Sequence, residues 1–163
     1  MFGKRKRLRA QLEEQMAKLE NLTAELIGIY STGDWDLALV LAERLELLLK
    51  PIATMPRMEI CLYHVESIQL RIAYKRKDIG LIETMARKSH NLQVSDLATR
   101  TVMRMATYSS DNLDRDRLSV DSILRESESE LRTMSDAESQ IVHMRNPNPR
   151  LIGTRWLPDF YRT

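Results

Sequence analysis

Apolar residues recur three, four and seven positions apart along most of this 163-residue chain, and short polar breaks interrupt them. A period near 3.6 puts such residues on one face of an α-helix, whereas a half-buried strand needs strict alternation. Only five glycines and five prolines are present, and aromatic residues make up 6%. All-β folds need turn residues every ten or so positions and favour aromatic strands. Pattern and composition therefore predict an all-α fold of six to seven helices in antiparallel hairpins, arranged as a repeat-like stack or a bundle. At 43% hydrophobic and 29% charged residues, there is enough apolar material for one helical domain over residues 1–144.

The first helix is expected over about 5–31. Leu12, Leu19 and Leu26 form one heptad row, and Gln15, Leu22 and Ile29 the companion row. Such a seam serves either an intermolecular coiled coil or packing on the next helix of the same chain; three heptads are short, which favours the second. Gly33 suits the left-handed residue after a helix, and Asp34 suits an N-cap. A second helix then runs to Lys50 and stops at Pro51, with Leu37, Ala38, Leu41, Ala42, Leu45 and Leu48 or Leu49 on a broad apolar face. Trp35 is expected to be buried between these two helices, with Ala38 and Ala42 at a close contact.

Pro56 opens a third helix, apolar round much of its circumference through Ile60, Leu62, Tyr63, Val65, Ile68, Leu70, Ile72 and Ala73, and therefore central. Asp78 caps a fourth, with Ile79, Leu81, Ile82, Met85 and Ala86 inward. Ser95 or Asp96 opens a fifth that uses Leu97, Val102, Met103, Ala106 and Tyr108. A sixth ends near Thr133 and exposes the run Arg125–Glu130. Ser135 with Glu138 reads as a capping box for a last short helix to about Met144. Beyond it, Pro147 and Pro149 exclude helix and predict an extended arm over 145–163. Its apolar residues Leu151, Trp156, Leu157, Phe160 and Tyr161 are expected to bind protein, because aromatic anchors carry most binding energy.

Gly33-Asp34-Trp35-Asp36-Leu37-Ala38 resembles the turn and second-helix start of a tetratricopeptide repeat, with Leu22, Leu26 and Ile29 at the packing positions of its first helix. A degenerate second copy lies on Tyr74-Lys75-Arg76-Lys77-Asp78-Ile79-Gly80-Leu81-Ile82. The resemblance covers about 70 residues. It implies a right-handed stack of helical hairpins that binds peptide segments or subunits in a concave groove.

The chemistry-bearing residues are few. His64, His90 and His143 do not stand three or four apart, so no helical zinc site is predicted, and each is expected at the surface or its boundary. Cys61 and His64 lie one helical turn apart, but no third group orients them as a nucleophile and base. Glu126, Glu128 and Glu130 lack the Glu-x-x-His spacing of a di-metal centre. No glycine loop cradles phosphate. No catalytic residue, metal ligand or cofactor is predicted.

Charge is distributed unevenly behind a net value of +2. Lys4, Arg5, Lys6, Arg7 and Arg9 form a basic N-terminal cap within residues 1–10. The stretch 67–107 holds eight bases against three acids, and 111–138 holds nine acids against four bases. Lys75, Arg76 and Lys77, with Arg71, Arg87 and Lys88, extend the basic character round one hairpin end. Such patches meet phosphates without base readout, or an acidic protein. Neither a signal-peptide pattern nor a membrane span is visible, which predicts a cytoplasmic protein or one inside a virion or other assembly. The function these features predict is a non-enzymatic structural or adaptor protein that assembles with itself or a protein partner. The alternative is a nucleic-acid-associated packaging or regulatory protein, and a helical enzyme is a distant third.

Overall fold

The computed structural model describes residues 2–111 and 116–145, with side-chain environments for 3–108 and 120–134. Among them are six α-helices and no strand: α1 (Phe2–Ser31), α2 (Trp35–Leu49), α3 (Pro56–Arg76), α4 (Ile79–Lys88), α5 (Leu92–Asp111) and α6 (Asp116–Arg145). The fold is all-α. It divides into two compact units, one holding α1, α2 and α3 as far as Val65 together with the segment from Val142 onward, the other running from Glu66 to Ile141.

In the first unit α1 and α2 pack as a hairpin. Gly33 takes a positive φ of 89°, the left-handed conformation that glycine adopts without steric cost. A Cβ there would meet nothing within 4 Å, so the need for glycine is conformational rather than spatial. Asp34 then accepts from the Leu37 amide at 3.2 Å, which satisfies a donor the helix start leaves open. Ala38, Ala42, Leu45 and Leu49 form the packing stripe of α2 and are fully buried, as are Leu26 and Ile27 on α1. The stripe is narrower than the sequence predicts, because Leu37 and Leu48 are exposed. Trp35 is only half-buried. Helical side chains tilt towards the N-terminus, so a ring at the first helical position is carried over the turn rather than between the helices. Pro51 sits in a 3-10 turn, Lys50–Ile52, that closes α2.

Helix α3 is buried without interruption from residue 60 to residue 74, which bears out its central place. The buried set includes Glu66, Ser67 and Arg71 among the apolar residues.

The second unit repeats the turn of the first. Lys77 has a φ of 55°, and Asp78 accepts from the Leu81 amide at 3.1 Å. Each turn follows a buried tyrosine, with Gly33 N donating to Tyr30 O at 3.1 Å and Lys77 N to Tyr74 O at 3.3 Å. Ile82 and Met85 of α4 and Val94, Leu97, Ala98, Thr101 and Met105 of α5 are buried, whereas Ile79, Met103, Ala106 and Tyr108 are exposed, against expectation. The inward stripe of α5 therefore starts earlier. Its cap is Asn91, whose Oδ1 accepts from the Gln93 and Val94 amides at 3.0 and 3.1 Å. Ser95, the expected cap, instead donates to Ala86 O at 2.7 Å. The buried Glu66 carboxylate accepts from the His90 and Asn91 amides at 2.6 and 3.0 Å and fixes the approach to α5.

Helix α6 is continuous where the Ser135 capping box predicts a break, since such a box inside a helical stretch cannot outcompete backbone bonds that are already made. Ser127, expected in solvent, is fully buried. Tyr74 Oη and Thr101 Oγ1 lie 2.9 Å apart, and Thr101 Oγ1 donates to Ser127 Oγ at 2.8 Å, a polar chain linking α3, α5 and α6. Burial pushes the Tyr74 phenol up to about 12.

Candidate functional site

Three places in the chain bring chemistry-bearing or uncovered residues together, all in the first unit. The first is the start of α1. Residues 3–15 are exposed throughout, and burial begins only at Met16. Four turns of helix thus stand clear of their own unit, about 20 Å of axis. Leu8 and Leu12 are 64% and 38% exposed, in line with the buried Met16, Thr23 and Leu26. The lower part of the heptad seam therefore packs within the chain, and its upper part does not. Lys4, Arg5, Lys6, Arg7 and Arg9 are exposed and make no ion pair with a described residue. Successive helical residues turn by about 100°, so these five cations surround the helix rather than lining one face.

Where the cover of α1 begins, Arg57 on the first turn of α3 donates through Nη1 to Glu13 at 2.7 Å and through Nη2 to Glu20. The Glu20 side chain is fully buried. These two carboxylates hold the guanidinium charged, the Glu20 hydrogen bond foremost.

The other predicted cations are placed differently. Arg71 is fully buried and cannot join a surface patch. Lys75 pairs with Glu128 at 3.9 Å and Lys77 with Asp121 at 2.8 Å, while Arg76 is exposed. Arg100 reaches Glu130 at 2.7 Å. The basic stretch 67–107 and the acidic stretch 111–138 thus meet inside their own unit. Opposite charges far apart in sequence are brought within reach by α6, which periodicity alone does not reveal.

The second place is buried chemistry on α3. Cys61 and His64 are both buried, so His64 is not the boundary residue that the sequence suggests. Burial pushes the Cys61 thiol up to about 12 and holds His64 down to about 4. At neutral pH the pair is an un-ionised thiol and a neutral imidazole, without the thiolate that nucleophilic attack requires. Tyr63 lies against the imidazole, ring centroids 5.6 Å apart. Among the described residues, no three His, Cys, Asp or Glu side chains gather as a metal ion would require, and no helix is long and apolar enough to cross a membrane.

The third place is the outer face of α2, part of which the sequence pattern assigns to the core. Leu37, Val40, Leu47 and Leu48 are 49%, 50%, 72% and 55% exposed. At 100° per residue they share one face with the half-buried Leu41 and with Arg44, well away from the packed Ala38-Ala42-Leu45-Leu49 stripe. Asp36 and Glu43 border this face. A signal is present in the sequence: Trp35–Leu49 is apolar almost all round, and such a helix covers more than one face.

The arm residues Leu151, Trp156, Leu157, Phe160 and Tyr161, with His143 and Glu138, lie outside the residues whose side chains are described. The chain matches no protein-family model, no curated protein and no solved structure.

Proposed function

We propose that this chain is a non-enzymatic binding module that assembles with protein through the outer face of α2. The observation that carries the reading is the row Leu37, Val40, Leu47 and Leu48, uncovered along one side of a helix whose other side is packed. Single exposed leucines are ordinary on a protein surface; a contiguous row on one helix face is a site for another apolar surface. Leaving it in water forgoes about 25 cal/mol for each Å² that a partner would cover. The two turns capped by Asp34 and Asp78 make each unit a helical hairpin that presents one helix face outward.

Changing Leu47 and Leu48 together to Glu tests the reading. Both are already exposed, so helicity and melting temperature should change little. Light scattering on the full chain, and pull-down from its source cells, should show a complex with the parent that the variant loses. A parent that stays monomeric and retains no protein that the variant releases removes the reading.

A second reading, contact with a polyanion such as nucleic acid, is favoured by the start of α1. Five cations surrounding an uncovered helix can meet phosphates on more than one side, and each phosphate neutralised releases condensed counterions. Changing Lys4, Arg5, Lys6 and Arg7 to Gln should weaken retention on duplex DNA or RNA and flatten its salt dependence by about four counterions' worth of slope. Circular dichroism should stay the same. Equal retention of parent and variant across a salt series would exclude contact through these residues.

A further inference from the structure

An uncommitted charge sits in the middle of the apolar row on α2. Arg44 lies between Val40 and Leu47 on the same face, is exposed and makes no ion pair with a described residue. Glu43, on the border of the row, is exposed and equally without an ion pair to a described residue. The next acid along, Glu46, is already held by Lys50 at 2.7 Å. Arg44 and Glu43 do not serve each other, because consecutive helical side chains diverge by about 100°. We infer that α2 of one copy packs antiparallel on α2 of a second, outer face to outer face about a two-fold axis; the inference rests on the α2 face being the assembly surface.

The row is complementary to itself in that direction. Leu37, Leu41, Arg44 and Leu48 stand four, three and four apart, the spacing of a helix–helix seam. Reversing one copy sets Leu37 level with Leu48 of the second copy, and Leu41 level with its Arg44. Leucine therefore closes both ends of the contact. Val40 and Leu47, each one position ahead of a seam leucine, meet each other along the open flank. The axis falls between Ala42 and Glu43, and there Arg44 of each copy reaches Glu43 of the other. A parallel pair in the same register sets Arg44 beside Arg44 and Glu43 beside Glu43, and like charges so placed repel. An unrelated apolar surface would have to bring its own acid to Arg44 and its own base to Glu43. A second copy brings both at the required spacing.

The packing of the first unit leaves room for this contact. The buried stripe Ala38-Ala42-Leu45-Leu49 lies about 140° round the helix from the outer row. A helix laid on that row therefore leaves the α1–α2 hairpin as it is. From Leu37 to Leu48 the row is about 16 Å long at 1.5 Å per residue. One helix on one helix of this length lies at the low end of specific interfaces, at about 1,000 Å², so the pair should form and dissociate with concentration. Such a contact uses the same patch on both copies, as closed two-fold dimers do.

Charge exchange in the full chain tests the inference, read by sedimentation equilibrium over a concentration series. The parent should pass from monomer to dimer. Arg44→Glu opposes two acids at each of the paired contacts, and Glu43→Arg opposes two bases, so each alone should weaken the dimer by about ten-fold or more. Mixed in equal amounts, the two variants should form a heterodimer close to parental strength, since opposite charges then meet at both contacts. A chain carrying both substitutions should pair with itself for the same reason. Recovery in the mixture also shows that both single variants are folded. Three results overturn the inference: a parent that stays at monomer mass at high concentration, single variants that dimerise as the parent does, or a mixture or double variant no stronger than the single variants. The wider reading survives any of them if Leu47→Glu with Leu48→Glu still releases a protein that the parent captures.

Discussion

Arg57→Ala should destabilise the chain by about 2–4 kcal/mol, a larger loss than any surface ion pair would produce. Removing one partner of a buried pair leaves the other charge buried without its counter-ion, at a typical cost of about 3–5 kcal/mol. Here the Glu20 side chain is fully buried, while Arg57 is 28% exposed, so solvent screening lowers the expected loss. The accompanying pair with Glu13 adds little, because that carboxylate is 63% exposed. Arg57→Lys should recover only part of the stability, since one ammonium cannot reproduce two guanidinium nitrogens reaching separate carboxylates. Adding Glu20→Leu to Arg57→Ala should recover most of it by removing the stranded charge. Denaturant melts of the four chains give the comparison. A double variant no more stable than Arg57→Ala would mean that Glu20 is not what Arg57 compensates.

Stability should also fall as the solution is acidified from pH 6.5 towards pH 4, and His64 should account for a large part of the fall. Burial holds its imidazole down to about 4, against 6.5 for an ordinary histidine. Above pH 6.5 the folded and unfolded chains both carry it neutral, and its contribution is fully present. Below 6.5 the unfolded chain takes up a proton that the folded chain refuses until about pH 4, so unfolding becomes progressively easier across that window. The difference in proton affinity corresponds to on the order of 3 kcal/mol at its lower end. His64→Leu removes the titrating imidazole and should flatten the pH dependence between 4 and 6.5. If parent and variant lose stability in parallel across that range, His64 is not responsible.

The turns are legible in the sequence because their chemistry is local. Gly33 with Asp34, Pro51, Pro56 and Asp78 each act on backbone groups within a few residues of themselves, and all mark the boundaries observed. The start of α5 is misplaced by local reasoning because Asn91 and Ser95 are both competent caps; the choice between them is settled by Glu66, which accepts from two amides just upstream and comes from a distant helix. The depth of His64 and Ser127 and the half-exposure of Trp35 are equally out of reach, since burial depends on what a neighbouring element covers. The excess of apolar residues on α2 is visible in the sequence, but which of them form its outer face is not, for a related reason. Leu37, Leu45 and Leu48 look alike in a sequence, and only the packing of α2 on its neighbours separates the packed leucine from the uncovered ones. The arm's aromatic residues stand out in composition, and their side chains lie outside the described residues.

The uninterrupted burial of α3 changes how substitutions should be tolerated along the chain. Helices α2 and α4 have a packed side and an open side, so a polar residue at an outward position should leave the fold stable, whatever it does to binding. Between residues 60 and 74 there is no such side. Fifteen successive positions are each constrained in volume and polarity, including Glu66 and Arg71, which are as enclosed as the leucines beside them. Single replacements that conserve volume and polarity are the ones this segment should accept, and a larger change in size there needs a matching change on the helix it touches.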